Sequence, residues 1–202
     1  MHSTAIPVGN FENKYESANP LARYLVDRFL KAFDDLVVPA QPESVLEAGC
    51  GEGALMRRLE NTGAQKIKGV DIAADVFAKA QRELDPSRYS FEEKSIYDLT
   101  AAEDGADTII CCEVLEHVDD PESALAALHA LKARRYILSV PREPLWRVLN
   151  MARLKYLGDF GNTPGHLNHW SQQGFKKFIS EKFDILELRT PLPWTMVLCA
   201  PR

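Results

Sequence analysis

The stretch that decides the fold is Val45-Leu46-Glu47-Ala48-Gly49-Cys50-Gly51-Glu52-Gly53-Ala54-Leu55. A short apolar run ends in an acid, three glycines follow at alternate positions, and a helix-forming sequence takes over. Glycines at that spacing let the backbone turn tightly and approach a ligand closely, at a helix N-terminus with its positive dipole end. The loop is not GxGxxG, and no Gly-Lys-Ser/Thr follows, so neither the dinucleotide nor the phosphate-loop pattern fits. Glu47, just ahead of the glycines, suits a ligand with a positive group better than a pyrophosphate. After the next apolar run comes Asp71, 18 residues beyond Gly53. An acid there can accept both hydroxyls of a ribose. Alone, the loop reads as a tight turn and the acid as a helix N-cap; together they favour an adenosine-containing cofactor without phosphate.

Outward from this loop the chain alternates. Residues 20–37 place Leu21, Leu25, Phe29, Phe33 and Leu36 at helical spacing, with Asn19 as N-cap and Pro20 at the first helical position. Strands are expected over 44–49, 66–72, 89–94, 107–114 and 134–140, with a final pair over 184–190 and 194–200. Helices are expected over 51–63, 74–85, 120–131 and 171–181. This pattern predicts an α/β fold: a seven-stranded, mostly parallel sheet with helices on both faces. Such sheets bind ligands beyond the carboxyl ends of their strands.

All 202 residues read as a single domain, without repeat, linker or low-complexity tract. Within it, 1–37 supply an N-terminal lid and helix, 40–140 the cofactor-binding core, and 141–171 a substrate-covering insertion. A composition of 46% apolar and 26% charged residues excludes disorder, collagen and coiled coil. No apolar run approaches the ~18–20 residues that span a bilayer. The N-terminal MHSTAIPVGNFENKYE has no apolar core of the signal-peptide kind, so a cytoplasmic location is expected. Cys50, Cys111, Cys112 and Cys199 show no CxxC spacing and read as free buried thiols. The net charge of −5 argues against a surface that carries nucleic acid.

VLEAGCGEGAL, GVDIA and ICCEVLEHVDDPESAL, in that order and at these intervals, resemble the class I S-adenosylmethionine-dependent methyltransferases, near the quinone-biosynthesis group. The resemblance is close over roughly residues 40–140. It implies a Rossmann-like sheet whose final strand is antiparallel, and S-adenosyl-L-methionine as cofactor, with S-adenosyl-L-homocysteine as product. It further implies that Glu47 and the Gly49–Gly51–Gly53 loop hold the methionine end. Asp71 would hold the ribose and Ile72 would lie against the adenine. Cys112 and Glu113 would close the pocket wall. The turn after the third strand departs from the family pattern: it reads Lys94-Ser95-Ile96-Tyr97-Asp98, and Ser95 or Asp98 would meet the adenine amine.

A sulfonium is already activated, so alignment of the acceptor is the main task, and a base is needed only where the acceptor loses a proton. Two clusters offer one. The first is Glu113, Glu116 and His117, which share a face if 113–117 begin a helical turn. His117 is expected as a pocket-wall or general-base residue. The same trio could take a divalent ion with a later histidine, as in some relatives, but the run also occurs in members without metal, and no metal is assigned. The second is Thr163-Pro164-Gly165-His166-Leu167-Asn168-His169-Trp170-Ser171, from which His166 or His169 is expected to face the acceptor.

Between the clusters, residues 132–158 carry Lys132, Arg134, Arg135, Arg142, Arg147, Arg153 and Lys155 against Glu143 alone. EPLWRVLNMARLKYLG within this segment reads as an amphipathic helix. The segment suits an anionic acceptor, or a peripheral membrane contact through residues 142–157, better than RNA. The expected function is methyl transfer to a small-molecule acceptor, on oxygen of an anionic or amphiphilic metabolite. The alternatives are a metal-assisted RNA 2′-O-methyltransferase and a non-catalytic S-adenosylmethionine-binding protein.

Overall fold

A computed structural model describes residues 19–152 and 156–202. The N-terminal lid expected around Phe11, Lys14 and Tyr15 lies outside the described residues, as do Arg153 and Lys155.

Helix α1 (Pro20–Ala40) starts where Asn19 Oδ1 accepts from the Leu21 and Ala22 amides, and ends at Gln41 in the left-handed region. The chain then alternates through β1 (Ser44–Ala48), α2 (Ala54–Arg58), β2 (Lys66–Asp71), α3 (Ala74–Glu83), β3 (Tyr89–Glu93), α4 (Ala101–Asp104), β4 (Thr108–Cys112), α5 (Pro121–Ala130) and β5 (Arg135–Pro141). Helices α6 (Leu145–Ala152) and α7 (Gln172–Ile179) precede β6 (Phe183–Arg189) and β7 (Trp194–Pro201). The strands form one sheet in the order β3-β2-β1-β4-β5-β7-β6. The first five are parallel, and β7 runs antiparallel to both neighbours. The expected seven-stranded α/β sheet with an antiparallel final strand is the one observed.

Alternation along each strand divides two apolar layers. Leu46, Ile109, Cys111, Tyr136, Leu138 and Val197 face α5 and α7, where Leu125, Leu128, Phe175 and Ile179 cover them. Val45, Ile67, Ile110, Ile137, Met196 and Leu198 face α1, α2 and α3, where Phe29, Phe33, Leu36 and Met56 cover them. A sheet buried on both sides explains why its central strands are mostly apolar, with buried polar exceptions such as Glu47 and Ser139. No described helix is long and apolar enough to cross a membrane.

Two expected elements are shorter than their sequence pattern. The helix over 51–63 shrinks to Ala54–Arg58, where the Arg88 guanidinium takes the carbonyls of Leu59 at 2.8 Å and Glu60 at 2.7 Å within the expected span, and of Ala64 at 2.7 Å just beyond it. The fourth strand stops at Cys112 because Glu113 turns into the left-handed region at φ 61°. The short helix α4 and a 3-10 turn over Ile96–Asp98 fall where no element was expected.

The basic stretch is divided by β5. Arg134 is anchored at the amino end of the strands, on Asp107 and on the Ala40 and Gln41 carbonyls. Arg142 and Arg147 stand beyond the carboxyl end, roughly 20 Å of strand away at ~3.3 Å per residue. The described basic residues of 132–158 therefore do not make one face.

Asp104 anchors the outer strands. Its fully buried carboxylate accepts from Lys68 Nζ at 2.7 Å, Lys94 Nζ at 2.9 Å and the Thr100 amide at 2.9 Å. Burial by itself raises its pKa, but these hydrogen bonds outweigh burial and hold it below the usual aspartate range. A lowered carboxylate stabilises the fold above the unfolded aspartate pKa and loses that contribution as pH falls through the folded value. Asp104→Ala should cost about 3 kcal/mol, since it leaves two ammonium groups without their shared partner. Urea denaturation at pH 7 and in acid checks this: the gap between variant and wild type should narrow as pH falls.

Candidate functional site

The sheet order reverses between β1 and β4, and the crevice at their carboxyl ends is where an open α/β sheet holds its ligand. Four loops meet there, and packing sets how closely. A methyl group at Gly49 would stand 2.2 Å from Val114 Cγ2, so only glycine lets the loop after β1 close on the loop after β4. Gly49, Gly51 and Gly53 all have positive φ. At Gly51 an added Cβ would meet nothing within 4 Å, so this turn of backbone faces open space.

Asp71, at the end of β2, closes the cradle. Its Oδ2 accepts from the Gly51 amide at 2.9 Å and its Oδ1 from the Ala73 amide at 3.3 Å. A carboxylate offers about four lone-pair sites, so acceptor capacity remains for a ribose hydroxyl. Burial raises the Asp71 pKa, partly offset by the amides of Gly51, Ala73 and Ile72. Beside it Ile72 is 50% exposed, an apolar surface at the rim of the crevice that suits a base. Glu47 is 3% exposed at the carboxyl end of β1. Burial, then the charges of Glu47 and Asp71, push the Cys50 thiol far up. That same negative field favours a cationic ligand such as a sulfonium. The cradle fits the cofactor that the sequence implies.

Ser95 lies at the end of β3, where its hydroxyl caps the 3-10 turn by accepting from the Tyr97 amide at 3.3 Å. Asp98 is exposed. Cys112 is buried, with its Sγ 3.9 Å from the Ile137 carbonyl. The helical turn expected over 113–117 is absent. Glu113 Oε1 accepts from Ser139 Oγ at 3.1 Å and Oε2 from Trp194 Nε1 at 2.5 Å, so its carboxylate points across β5 to β7. Glu116 and His117 follow in a separate turn closed by the His117 amide on the Val114 carbonyl.

The two histidine clusters come together through the backbone. The Leu167 and Asn168 amides donate to the Glu116 carbonyl at 2.7 and 3.0 Å. The Asn168 side-chain amide donates to the Leu115 and Val118 carbonyls at 3.1 and 2.6 Å. His117 Nδ1 lies 2.9 Å from the Gly165 carbonyl. The rings of His117 and His166 meet edge to face, 4.8 Å between centroids. His166 is buried and stacks on Trp146 at 5.8 Å. His169 is not in this group: it is exposed, with Nε2 2.8 Å from Asn162 Oδ1. Partial desolvation and the Arg147 charge hold its pKa below the usual histidine range. Trp146 and Trp194, absent from the sequence-based site, line it here. A tryptophan in an apolar pattern gives no sign that it will sit at a site rather than in the core.

Asp71→Asn keeps an oxygen for the Gly51 amide and removes the charge. It should weaken S-adenosylhomocysteine binding by about 2 kcal/mol, roughly thirtyfold, in calorimetric titration. In wild type, affinity should fall on acidification at a pH above the ordinary aspartate value of about 3.9, because protonated Asp71 loses acceptor capacity.

A family model described as a methyltransferase domain matches residues 17–182. The ubiquinone biosynthesis O-methyltransferase of Albidiferax ferrireducens is 35% identical over 97 residues, covering 46% of this chain and 38% of that protein. Its counterpart from Hydrogenovibrio crunogenus is 36% identical over 113 residues, covering 52% and 43%. The chain thus spans about two fifths of the length of these curated relatives. Magnesium protoporphyrin IX methyltransferase from Synechocystis PCC 6803, solved with bound S-adenosylhomocysteine, superposes with a TM-score of 0.71 at 21% identity, covering 94% of this chain and 92% of that one. The methyltransferase domain of bacterial CtHen1 superposes at 0.70 with 20% identity, covering 87% and 99%. With the domain model running through most of its length, and the glycine loop, Asp71 and sheet order in place, the chain belongs to the methyltransferase domain family, within the class I group that uses S-adenosylmethionine.

Proposed function

We propose that the protein transfers the methyl group of S-adenosylmethionine to an oxygen of a small anionic or amphiphilic acceptor. The observation that carries this reading is that the Asp71–Gly51 cradle and the His117–His166 pair both stand beyond the carboxyl ends of the strands. The relatives named ubiquinone biosynthesis O-methyltransferases support transfer to oxygen. Arg142 and Arg147, beyond the carboxyl end of β5, would meet an anionic group on the acceptor or an anionic lipid surface.

The sulfonium supplies a methyl group already activated, so the protein's own groups bind, align and exclude water. Glu47 and the glycine loop hold the cationic end, and Asp71 holds the ribose. His166, buried beside Trp146, takes the acceptor's hydroxyl proton as the oxygen–methyl bond forms and the carbon–sulfur bond breaks. His117 donates from Nδ1 to the Gly165 carbonyl, which fixes its ring.

His166→Ala should lower turnover at least tenfold with S-adenosylhomocysteine affinity nearly intact, whereas His169→Ala should retain most turnover. Formation of S-adenosylhomocysteine with a panel of anionic phenols reads both. Intact cofactor binding in the wild type without turnover on any acceptor would instead support a non-catalytic S-adenosylmethionine-binding protein.

One observation favours a second reading, metal-assisted transfer to a 2′-hydroxyl of RNA. Glu116, His117 and His166 each offer a ligand atom, all within 4.8 Å of one another. A carboxylate and two imidazoles suit a first-row divalent ion, which would polarise the acceptor oxygen. Chelator-treated protein titrated with cobalt(II) should develop visible d–d absorption that Glu116→Gln abolishes. A titration without absorption change removes this reading.

A further inference from the structure

Glu113 carries a feature that its place at the pocket wall does not require. It is a non-glycine residue held at φ 61°, a conformation that costs free energy and persists only where surroundings enforce it. What enforces it is the side chain's destination. One carboxylate oxygen accepts from Ser139 Oγ on β5, the other from the Trp194 indole N–H on β7. Because β7 is antiparallel, Trp194 at its start pairs with Pro141 at the end of β5, so both strands deliver their residues to the carboxyl edge of the sheet.

From Trp194 a row of rings continues towards the acceptor side. Trp194 lies 5.6 Å from Trp146, Trp146 stacks 5.8 Å from His166, and His166 meets His117 at 4.8 Å. Trp146 is held in turn: its indole N–H donates to Thr163 Oγ1 at 2.9 Å, and buried Asn150 donates to the same oxygen at 3.2 Å. Neighbouring rings in such a row are in contact, so a change at one alters the surroundings of the next.

We propose that Glu113 is a positioning residue of the acceptor site: its carboxylate fixes Trp194 and, through the row Trp194–Trp146–His166–His117, the two histidines that face the acceptor. The inference rests on the methyl-transfer reading for what the histidines do, and on geometry alone for how they are held. It separates Glu113 from the cofactor contacts, since both carboxylate oxygens turn towards β5 and β7.

Glu113→Gln removes the charge at constant shape, and Trp194→Phe keeps an aromatic ring, smaller than the indole, while deleting the donor. Both should bind S-adenosylhomocysteine within about threefold of wild type by calorimetry. In long-range proton–nitrogen spectra of the protein without ligand, the ring signals of His166 and His117 should move in both variants, and the double variant should move them no further than either single change. His129, which packs on Phe183 in the opposite layer, should stay in place and serves as the internal control. A loss of folding stability alone would leave His166 and His117 moving no more than His129, and would overturn the proposal. A tenfold or greater loss of S-adenosylhomocysteine affinity in Glu113→Gln would overturn it too, by making Glu113 a cofactor ligand. If the wild type binds no S-adenosylhomocysteine, the methyl-transfer reading fails, while the ring signals still decide how the histidines are held.

Discussion

The close approach of the loop after β1 to the loop after β4 is the constraint on which the site depends. Gly49 lies so near Val114 that no side chain fits between them, and the left-handed backbone there admits glycine without strain. This contact puts Glu113 and Val114 at the point where the strand order reverses. It carries the turn of Glu116 and His117 with it, and that turn supplies the carbonyl to which Leu167 and Asn168 attach. One glycine–valine contact thus joins the glycine-loop side of the crevice to the side that carries His117 and His166.

The electrostatics of the crevice follow the same division. Burial pushes the Cys50 thiol up, and the charges of Glu47 and Asp71 push it further; their negative field suits a sulfonium. The arginines that suggest an anionic acceptor are sorted by β5: Arg134 serves the far edge of the sheet, and only Arg142 and Arg147 remain near the mouth among the described residues. An acceptor bound with its reactive hydroxyl inward and its anionic group outward would satisfy both regions.

Much of this was legible in the sequence. The glycine spacing, an acid at the end of each of the first two strands, and the strand–helix alternation depend on local chemistry; they led to the α/β class and an adenosine-containing cofactor, and the family resemblance supplied its identity. Other elements misled for physical reasons. The pattern over 51–63 reads as one helix, but Arg88, 24 residues beyond Ala64, takes its carbonyls. The spacing of Glu113, Glu116 and His117 reads as one helical face, but Glu113 finds better donors on two strands and leaves that face.

Sequence by itself determined the α/β class, the cradle from Glu47 to Asp71, and the presence of two histidine-bearing segments, because each is written in residues near one another along the chain. Tertiary structure alone decided which histidines meet. Glu116, His117 and His166 converge through hydrogen bonds of the Leu167 and Asn168 amides and the Asn168 side chain, between segments about 50 residues apart, while His169 points to Asn162. Hydrogen bonds of that range depend on where the sheet delivers each loop, and no local spacing encodes them.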